Sequence, residues 1–194
     1  STKVVNSSIN LLCAAGCHID PIRALKGSVH EITGILIAMQ EKFFMRRKDA
    51  LEMFNDSNKV LKMEDHSLVN GLVEAESRFD FLLKNQNKKV KFNSVFPKYH
   101  KYYDDLKPLL LNIIDSINNK GMDVICLDQT TLEMKLYGLS CVKILIPGML
   151  SMTFGHNMRR ITGLSRLYDV PYELGYYSKR LTEKEINYYP HPFP

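Results

Sequence analysis

The start of a long helix at Asp20-Pro21 constrains the fold more than any other stretch of this sequence. Asp20 occupies the position of a helix N-cap, where a side-chain oxygen can accept hydrogen bonds from the first free backbone N–H groups. Pro21 follows at the first helical position, where its restricted φ angle suits a helix and its missing N–H costs nothing. Together they predict a helix from Pro21 to about Arg46.

Helical and strand patterns alternate along the rest of the chain. A charged, mostly helical stretch from Ala50 to Lys84 contains apolar residues that can form one stripe: Leu51, Phe54, Leu61, Leu68, Leu72 and Phe79. A polar connector precedes an amphipathic helix that begins near Leu106 and ends at Gly121. Strands are predicted in "SSINLLCAAGCHI", "MDVICLDQ" and "SCVKILIPG", with a short helix in "TTLEMKLYG" between the last two.

This order of elements predicts the fold class. Helices that alternate with short strands favour an α/β (mixed α+β) architecture in which helices pack on a mixed β-sheet, followed by a loop-rich, proline-rich tail over residues 180–194. The length of 194 residues suits one domain or a large piece of a bigger one. Because the chain has neither an initiating Met nor a signal peptide, we expect it to be a fragment of a longer protein.

Charge and hydropathy argue against two classes of partner. The net charge of +5 is modest and spread along the chain, and no RNA-binding or helix-turn-helix motif accompanies the basic patches, so we expect no nucleic-acid partner. No apolar run approaches the roughly 18 residues that a membrane-spanning helix requires, so we expect no membrane partner.

The four cysteines favour reduced thiols in a cytoplasmic protein. Cys126 and Cys141 lie in apolar runs and are expected in buried strands. Cys13 and Cys17 are four residues apart beside His18, but no second pair of metal ligands follows at zinc-site spacing.

The helix after Asp20 has a face of small residues around one carboxylate, Glu31. At three and four residues from Glu31 stand Gly27, Ser28, Gly34 and Ile35, with Ala24 and Ala38 one turn further out. Each glycine destabilises a helix by about 1 kcal/mol relative to alanine. The sequence therefore gives up helix stability to keep bulky side chains off this face. Two interpretations remain open: tight helix–sheet packing with Glu31 at the edge, or a site in which Glu31 holds Mg²⁺ beside phosphates.

The chain ends on "NYYPHPFP", in which Pro190, Pro192 and Pro194 alternate with His191 and Phe193. Each proline has its φ angle restricted and lacks a backbone donor, so the tail is stiff before it packs on anything. His191 could act as a general base or could simply pack, and the neighbouring aromatic residues are expected to anchor the tail: Tyr188, Tyr189 and Phe193.

Four segments give the chain a resemblance to the YcaO family: "HIDPIRALKGSVHEI", "GLSCVKILIPGM", "GHNMRRITGLSRLYDVP" and the terminal "PHPFP". Within that family the chain is similar to the C-terminal half of the D-proteins of streptolysin-type bacteriocin clusters, which are often described as docking scaffolds. The resemblance implies that residues 1–194 are the C-terminal portion of a YcaO domain.

The resemblance also implies an activity. YcaO proteins of this branch use ATP and Mg²⁺ to convert Cys, Ser or Thr residues of a precursor peptide into azolines by phosphorylating the amide oxygen. By this resemblance Glu31 is the ATP-binding and Mg²⁺-binding residue, and Pro190, Pro192 and Pro194 are the catalytic tail that carries a terminal carboxylate into the site. Arg159 and Arg160 could contact phosphate or that carboxylate, or could have surface roles.

Two departures from the family pattern weaken the enzymatic interpretation. The family has Arg four residues before its Glu, whereas this chain has Gly27, and the other ATP-binding acids lie in N-terminal segments that this chain lacks. We therefore expect the isolated 194-residue piece to be inactive. The alternatives are a non-catalytic scaffold for the heterocycle-forming complex and an unrelated helical interaction domain.

The partners that the resemblance implies are the precursor peptide, a ubiquitin-activating-like protein and a flavin-dependent dehydrogenase. A homodimer is also consistent with it.

Overall fold

The computed structural model describes residues 8–84, 90–96 and 105–194. Its helices are α1 Pro21–Met45, α2 Arg47–Asn55, α3 Met63–Asn70, α4 Asp80–Leu83, α5 Phe92–Val95, α6 Leu106–Asn118, α7 Leu132–Leu136 and α8 Arg166–Glu173. Short 3₁₀ turns occupy Ser57–Lys59, Val73–Phe79, His156–Met158 and Glu183–Glu185, and the strands are β1 Ile125–Asp128 and β2 Val142–Leu145.

The chain divides into two compact units. Unit 1 comprises Ser1–His100, Met152–Arg159 and Asn187–Pro194, and unit 2 comprises Lys101–Ser151 and Arg160–Ile186. The chain therefore leaves unit 1, builds unit 2 and returns twice to unit 1, the second time with its C-terminal residues.

The core of unit 1 lies among α1, α2, α3 and the 3₁₀ turn after α3. Met39 and Phe43 are four residues apart on one face of α1, and both are buried. They meet apolar side chains of the following elements: Ala50, Met53, Val60, Leu68, Val69, Leu72 and Ala75. Each large apolar side chain that is fully buried contributes about 1.5–3 kcal/mol, so this cluster gives α3 a rigid base.

An ionic network holds the N-terminal turn of α3 against the junction of α1 and α2. Arg46 donates to Asp49 at 3.0 Å, to Glu64 at 2.7 Å and to Asp65 at 2.9 Å. Asp65 is 3% exposed, and its second carboxylate oxygen accepts the backbone N–H of Lys62 at 2.9 Å. This network orients the helix that presents the polar side chains of the candidate site.

The predicted helix from Pro21 to about Arg46 is confirmed as α1. The Asp20 carboxylate accepts the N–H of Ile22 at 2.8 Å, as the N-cap assignment requires. The stripe predicted after Ala50 is confirmed at Leu68, Leu72 and Phe79, which are buried, and at Leu51 and Phe54, which pack against the core. It is wrong at Leu61, which is 65% exposed, because the helix breaks between α2 and α3 and helical spacing does not continue across the break.

The strand predicted near the N-terminus is wrong within residues 8–19, which form an irregular segment. A strand needs a row of hydrogen bonds to a neighbour, and the backbone bond that links this segment to another described element runs from the Asn10 N–H to the Gly71 carbonyl at 2.8 Å. The segment instead presses on α1: a Cβ at Gly16 would lie 1.9 Å from the Ala24 carbonyl oxygen. Part of the small-residue face of α1 therefore receives a closely approaching backbone.

Unit 2 contains both strands, which pair antiparallel with Ile125 opposite Leu145 and Asp128 opposite Val142. The predicted α/β mixture is confirmed, and the two strands lie where the sequence placed them, with α7 between them. The expectation that Cys126 is buried is wrong, since it is exposed, and Cys141 is half-buried, because no second layer covers this ribbon in the described residues.

The ends of α6 follow the predicted signals. The Asp105 carboxylate accepts the N–H of Lys107 at 2.8 Å, and Gly121 adopts a φ of +74°, a left-handed conformation that glycine tolerates best. Helix α8, by contrast, was not predicted, and Pro171 stands inside it. The four cysteines are free thiols. Among the described helices none combines the length and the apolar character needed to cross a bilayer.

Candidate functional site

The C-terminal segment, residues 187–194, is packed into unit 1. Pro190 is buried, and residues 191–194 are half-buried. Because three of the last five residues are prolines, this segment loses little conformational freedom when it is held in place. The residues that hold it come from α3 and from the loop at Met152–Arg159.

His66, on α3, bridges the C-terminal segment and this loop. Its Nδ1 lies 2.9 Å from the His191 carbonyl oxygen, so Nδ1 carries the proton and donates. Its Nε2 therefore accepts the N–H of Gly155 at 3.2 Å. Burial is the main reason that the pKa of His66 falls to about 4, although the bond to the His191 carbonyl opposes this shift. His66 is thus a neutral, fixed tautomer at physiological pH.

Asn70 stands one helical turn after His66 and grips the same segment. Its Nδ2 donates to the carbonyls of Pro190 and His191, both at 3.2 Å, and to the His66 carbonyl at 2.9 Å. Asn70 is 2% exposed, and its Oδ1 is buried without a hydrogen-bond partner. Prolines cannot donate backbone hydrogen bonds, so carbonyl contacts of this kind are the natural way to hold a proline-rich segment.

The imidazole of His191 is a packed ring. It stacks on His66 with ring centroids 3.9 Å apart, and its Nε2 donates to the Thr153 carbonyl at 2.8 Å. Its Nδ1 is buried without a partner. The packing alternative for His191 therefore has direct support, since one nitrogen is committed to the backbone and the ring is held by its neighbours.

The aromatic residues before the last proline run anchor two arginines. Arg159 donates from Nε to the His156 carbonyl at 2.9 Å, and its guanidinium lies 5.3 Å from the Tyr188 ring centroid. The guanidinium of Arg78 lies between the rings of Phe54 and Tyr189, at 4.5 and 4.3 Å from their centroids. The expected anchoring roles of the two tyrosines are consistent with these stacks.

A cleft of about 690 Å³ opens beside the C-terminal segment. Its walls come from three stretches, namely residues 12–14, residues 78–82 and residues 187–193, together with Ile32 of α1 and Asn70 of α3. Pro190 and Pro192 both contribute to the wall. The helix that carries Glu31 and the C-terminal segment thus border one cavity.

Glu31 itself is exposed on α1, next to the cleft-lining Ile32. Among the described residues, no group of three or more His, Cys, Asp or Glu side chains converges in a way that could hold a metal ion. Beside Gly27 and Gly34 nothing lies within 4 Å of an added Cβ, so this part of the small-residue face is open. The assignment of ATP and Mg²⁺ to Glu31 stays a prediction, as do the catalytic roles of Pro190, Pro192 and Pro194.

Sequence reasoning missed the residues that hold the C-terminal segment. His66 and Asn70 lie in "DHSLVNG", and no pattern in that stretch predicts a contact with residues more than a hundred positions away. The available signal was weak: four polar or charged residues within a helix whose six positions from Asp65 to Asn70 are all buried.

Comparison with known families identifies the class of protein. The model of the YcaO cyclodehydratases, described as ATP- and Mg²⁺-binding, matches residues 3–150. The chain belongs to the YcaO family. No curated protein matches this chain.

Solved structures give the same fold. A heterocyclase in complex with substrate and cofactor is similar over 97% of this chain and 22% of its own, with 27% identity and a TM-score of 0.64. The heterocyclase TruD is similar in fold over 98% of this chain and 22% of its own, with 23% identity and a TM-score of 0.58. This chain therefore spans about a fifth of the length of these structures.

Proposed function

We propose that this chain forms the C-terminal part of a YcaO domain in an ATP-dependent peptide cyclodehydratase. The substrate is a bacteriocin precursor peptide, and the products are thiazolines and oxazolines formed from its Cys, Ser and Thr residues. The observation that carries this proposal is the C-terminal segment, which His66 and Asn70 hold at a cleft that it shares with the Glu31-bearing helix.

The reaction requires the amide oxygen to become a leaving group. The side-chain sulfur or oxygen attacks the carbon of the preceding amide, and the amide oxygen takes the terminal phosphoryl group of ATP. Phosphate then leaves with that oxygen, the nucleophile and the amide nitrogen each lose a proton, and ADP remains. In this proposal the carboxylate of Pro194 orients the reacting groups or accepts one of these protons.

The described residues fit a nucleotide–metal site in part. Mg²⁺ is commonly held by one or two carboxylates together with substrate phosphates, and the exposed Glu31 can supply one such carboxylate. When bound, the ion would neutralise phosphate charge. The remaining ligands are expected from segments outside this chain, which agrees with its span of about 22% of its structural relatives.

The second candidate is a docking scaffold that organises the heterocycle-forming complex without using ATP. Gly27 favours it, because the guanidinium that the family places there is missing and no neighbouring side chain fills the space. In either case the proposed partners are the precursor peptide, a ubiquitin-activating-like protein and a flavin-dependent dehydrogenase in the cytoplasm, with a homodimer as a further possibility.

One experiment separates the two candidates. The full-length protein is combined with its partner protein, precursor peptide, ATP and Mg²⁺, and phosphate release is measured together with the mass loss of one water per ring. We expect deletion of Pro194 and Glu31→Gln each to lower both rates at least tenfold, by an order-of-magnitude argument from a lost proton-transfer or charge-stabilising group.

Two matched controls sharpen this test. A glycine appended after Pro194 keeps all three prolines but moves the carboxylate, so it should behave like the deletion if the carboxylate matters. Glu41→Gln removes another exposed carboxylate from α1 and should leave both rates unchanged. Full activity of the Pro194 deletion and of Glu31→Gln would refute these site assignments, and a wild type that never releases phosphate would favour the scaffold.

Restoring the family arginine is expected to strengthen ATP binding. A Cβ added at Gly27 meets no atom within 4 Å, and Gly27→Arg should also raise the free energy of unfolding by about 0.5–1 kcal/mol, because arginine has a higher helix propensity than glycine. Gly34→Arg on the same helix is equally unobstructed and serves as the control, with the stability gain alone. Calorimetric titration with Mg-ATP and urea unfolding check this, and equal ATP affinity in both variants would contradict it.

A further inference from the structure

Arg78 is a half-buried cation that has no carboxylate partner in the described part of the chain. Its Nη2 donates to the Phe54 carbonyl at 3.2 Å, whereas its Nη1 is buried without an acceptor. Burial lowers the pKa of this guanidinium, and in the described part of the chain no carboxylate lies within ion-pair distance of it. Two aromatic faces compensate a buried charge less well than a carboxylate does.

Arg78 contributes to the wall of the cleft beside the C-terminal segment. Among the described residues that line this cleft it is the one with a full charge, and most of the others are apolar, including Leu12, Phe81, Leu82 and Phe193. Its volume of about 690 Å³ is within the range of small-ligand and peptide sites. A ligand that fits must therefore combine an apolar body with one anionic group.

A second polar group on this wall needs a donor. The Oδ1 of Asn70 is buried without a partner, while the Nδ2 of the same side chain is fully used by backbone carbonyls. A ligand that brings an N–H group to this wall would satisfy an acceptor that the chain leaves open. An extended peptide supplies N–H groups, apolar side chains and carboxylates together, which is the combination that these walls require.

A phosphate fits these walls less well. Phosphates of nucleotides carry several charges and are normally held by several cations or backbone N–H groups, whereas this cleft offers one guanidinium. The single-charge carboxylate is therefore favoured over phosphate.

We propose that this cleft binds a segment of the precursor peptide in which a carboxylate lies among apolar residues, with the carboxylate at Arg78 and a peptide N–H at Asn70. This inference rests on the proposed function for the identity of the peptide, but not for the existence of the site. Tyr189, which is 53% exposed, stacks on one face of the guanidinium, so its ring borders the proposed carboxylate position.

The test is a binding experiment without ATP. Two synthetic tetrapeptides, acetyl-Leu-Asp-Phe-Cys-amide and its Asn counterpart, are titrated into the full-length protein by calorimetry. We expect the acidic peptide to bind about tenfold more tightly, in proportion to one charge-assisted hydrogen bond. Equal affinity of the wild type for the two peptides would overturn the proposal without any variant.

Two variants then test whether the preference for the acidic peptide depends on Arg78. Arg78→Gln should bring both peptides to the affinity of the neutral one, whereas Arg23→Gln, which removes an exposed cation of α1 outside the cleft wall, should keep the tenfold difference. A preference that survives Arg78→Gln in a protein with a wild-type circular dichroism spectrum also overturns the proposal. Displacement of the acidic peptide by inorganic phosphate at lower concentration than by acetate would mean that the cleft is a phosphate site instead.

The outcome is independent of the test of function. A preference for the acidic peptide without phosphate release would refute the enzymatic proposal and support the peptide site. Phosphate release without such a preference would support the enzymatic proposal and refute the peptide site.

Discussion

Asn70→Leu is expected to lower the free energy of unfolding by about 2 kcal/mol and to loosen the C-terminal segment. Leucine has the same branched arrangement of side-chain heavy atoms and is somewhat larger, so no cavity is left, but the carbonyls of His66, Pro190 and His191 lose their Nδ2 donor. A buried acceptor left unpaired costs about 1–3 kcal/mol, and loss of the unpaired Oδ1 returns part of that cost. Urea unfolding measures the change.

A second readout reports on the C-terminal segment alone. Chymotrypsin can cleave after Tyr188, and cleavage under native conditions requires local release of this segment, so we expect faster cleavage in Asn70→Leu by mass spectrometry. Asn55→Leu is the matched control, because Asn55 is exposed and donates to the carbonyl of Leu51 in its own helix at 3.0 Å. Equal stability and equal cleavage in the two variants would show that Asn70 does not hold the segment.

Acidification is expected to destabilise the protein between about pH 6.5 and pH 4 through His66. The pKa of His66 is lowered to about 4 in the folded protein, mainly by burial, whereas an unfolded histidine titrates near 6.5. The unfolded state therefore binds the extra proton in this window, so the stability contribution is complete above pH 6.5 and is lost as the pH falls toward 4. The linked change in free energy of unfolding is up to about 3 kcal/mol.

Two other sets of groups act in the same direction as His66. Burial, followed by the charges of Arg159 and Arg78, also lowers the pKa of His156, which adds to the loss in the same window. Carboxylates whose pKa is lowered in the folded protein lose their stabilising contribution at more acidic pH. The pKa of Glu185, for example, falls to about 2, chiefly through its hydrogen bond from Thr182.

Urea unfolding at pH 7.5, 6, 5 and 4 measures this dependence. His66→Gln should make the profile between pH 6.5 and 4 less steep and leave the contribution of His156, and His18→Gln, at an exposed position, should retain the wild-type profile. A wild-type stability that is constant from pH 7.5 to 5 would contradict the assignment of a buried, neutral His66.

The two predictions address the same structural fact, which is that polar groups of α3 secure the last residues of the chain. His66 bonds the His191 carbonyl while it is neutral, and Asn70 bonds the same carbonyl from the next turn. If the proposed function is correct, both variants should also lower cyclodehydration, since the position of Pro194 depends on the residues immediately before it.

The sequence by itself determined those elements whose signals are local. The N-cap at Asp20, the stop at Gly121 and the two β-branched runs act on their own neighbours along the chain, so α1, the end of α6 and both strands could be predicted from spacing and residue type. The stiffness of the proline-rich terminus is equally local, and its presence was predictable for the same reason.

Only the tertiary structure decided where those elements meet. The strand expected near residues 8–19 does not form, and the two real strands stay exposed. Pro190 and His191 are bonded by His66 and Asn70, which are more than a hundred residues earlier in the sequence. Hydrogen bonds between a carbonyl and a side chain so far apart leave no periodic pattern in the sequence, because each depends on how helices and loops pack and not on neighbouring residues.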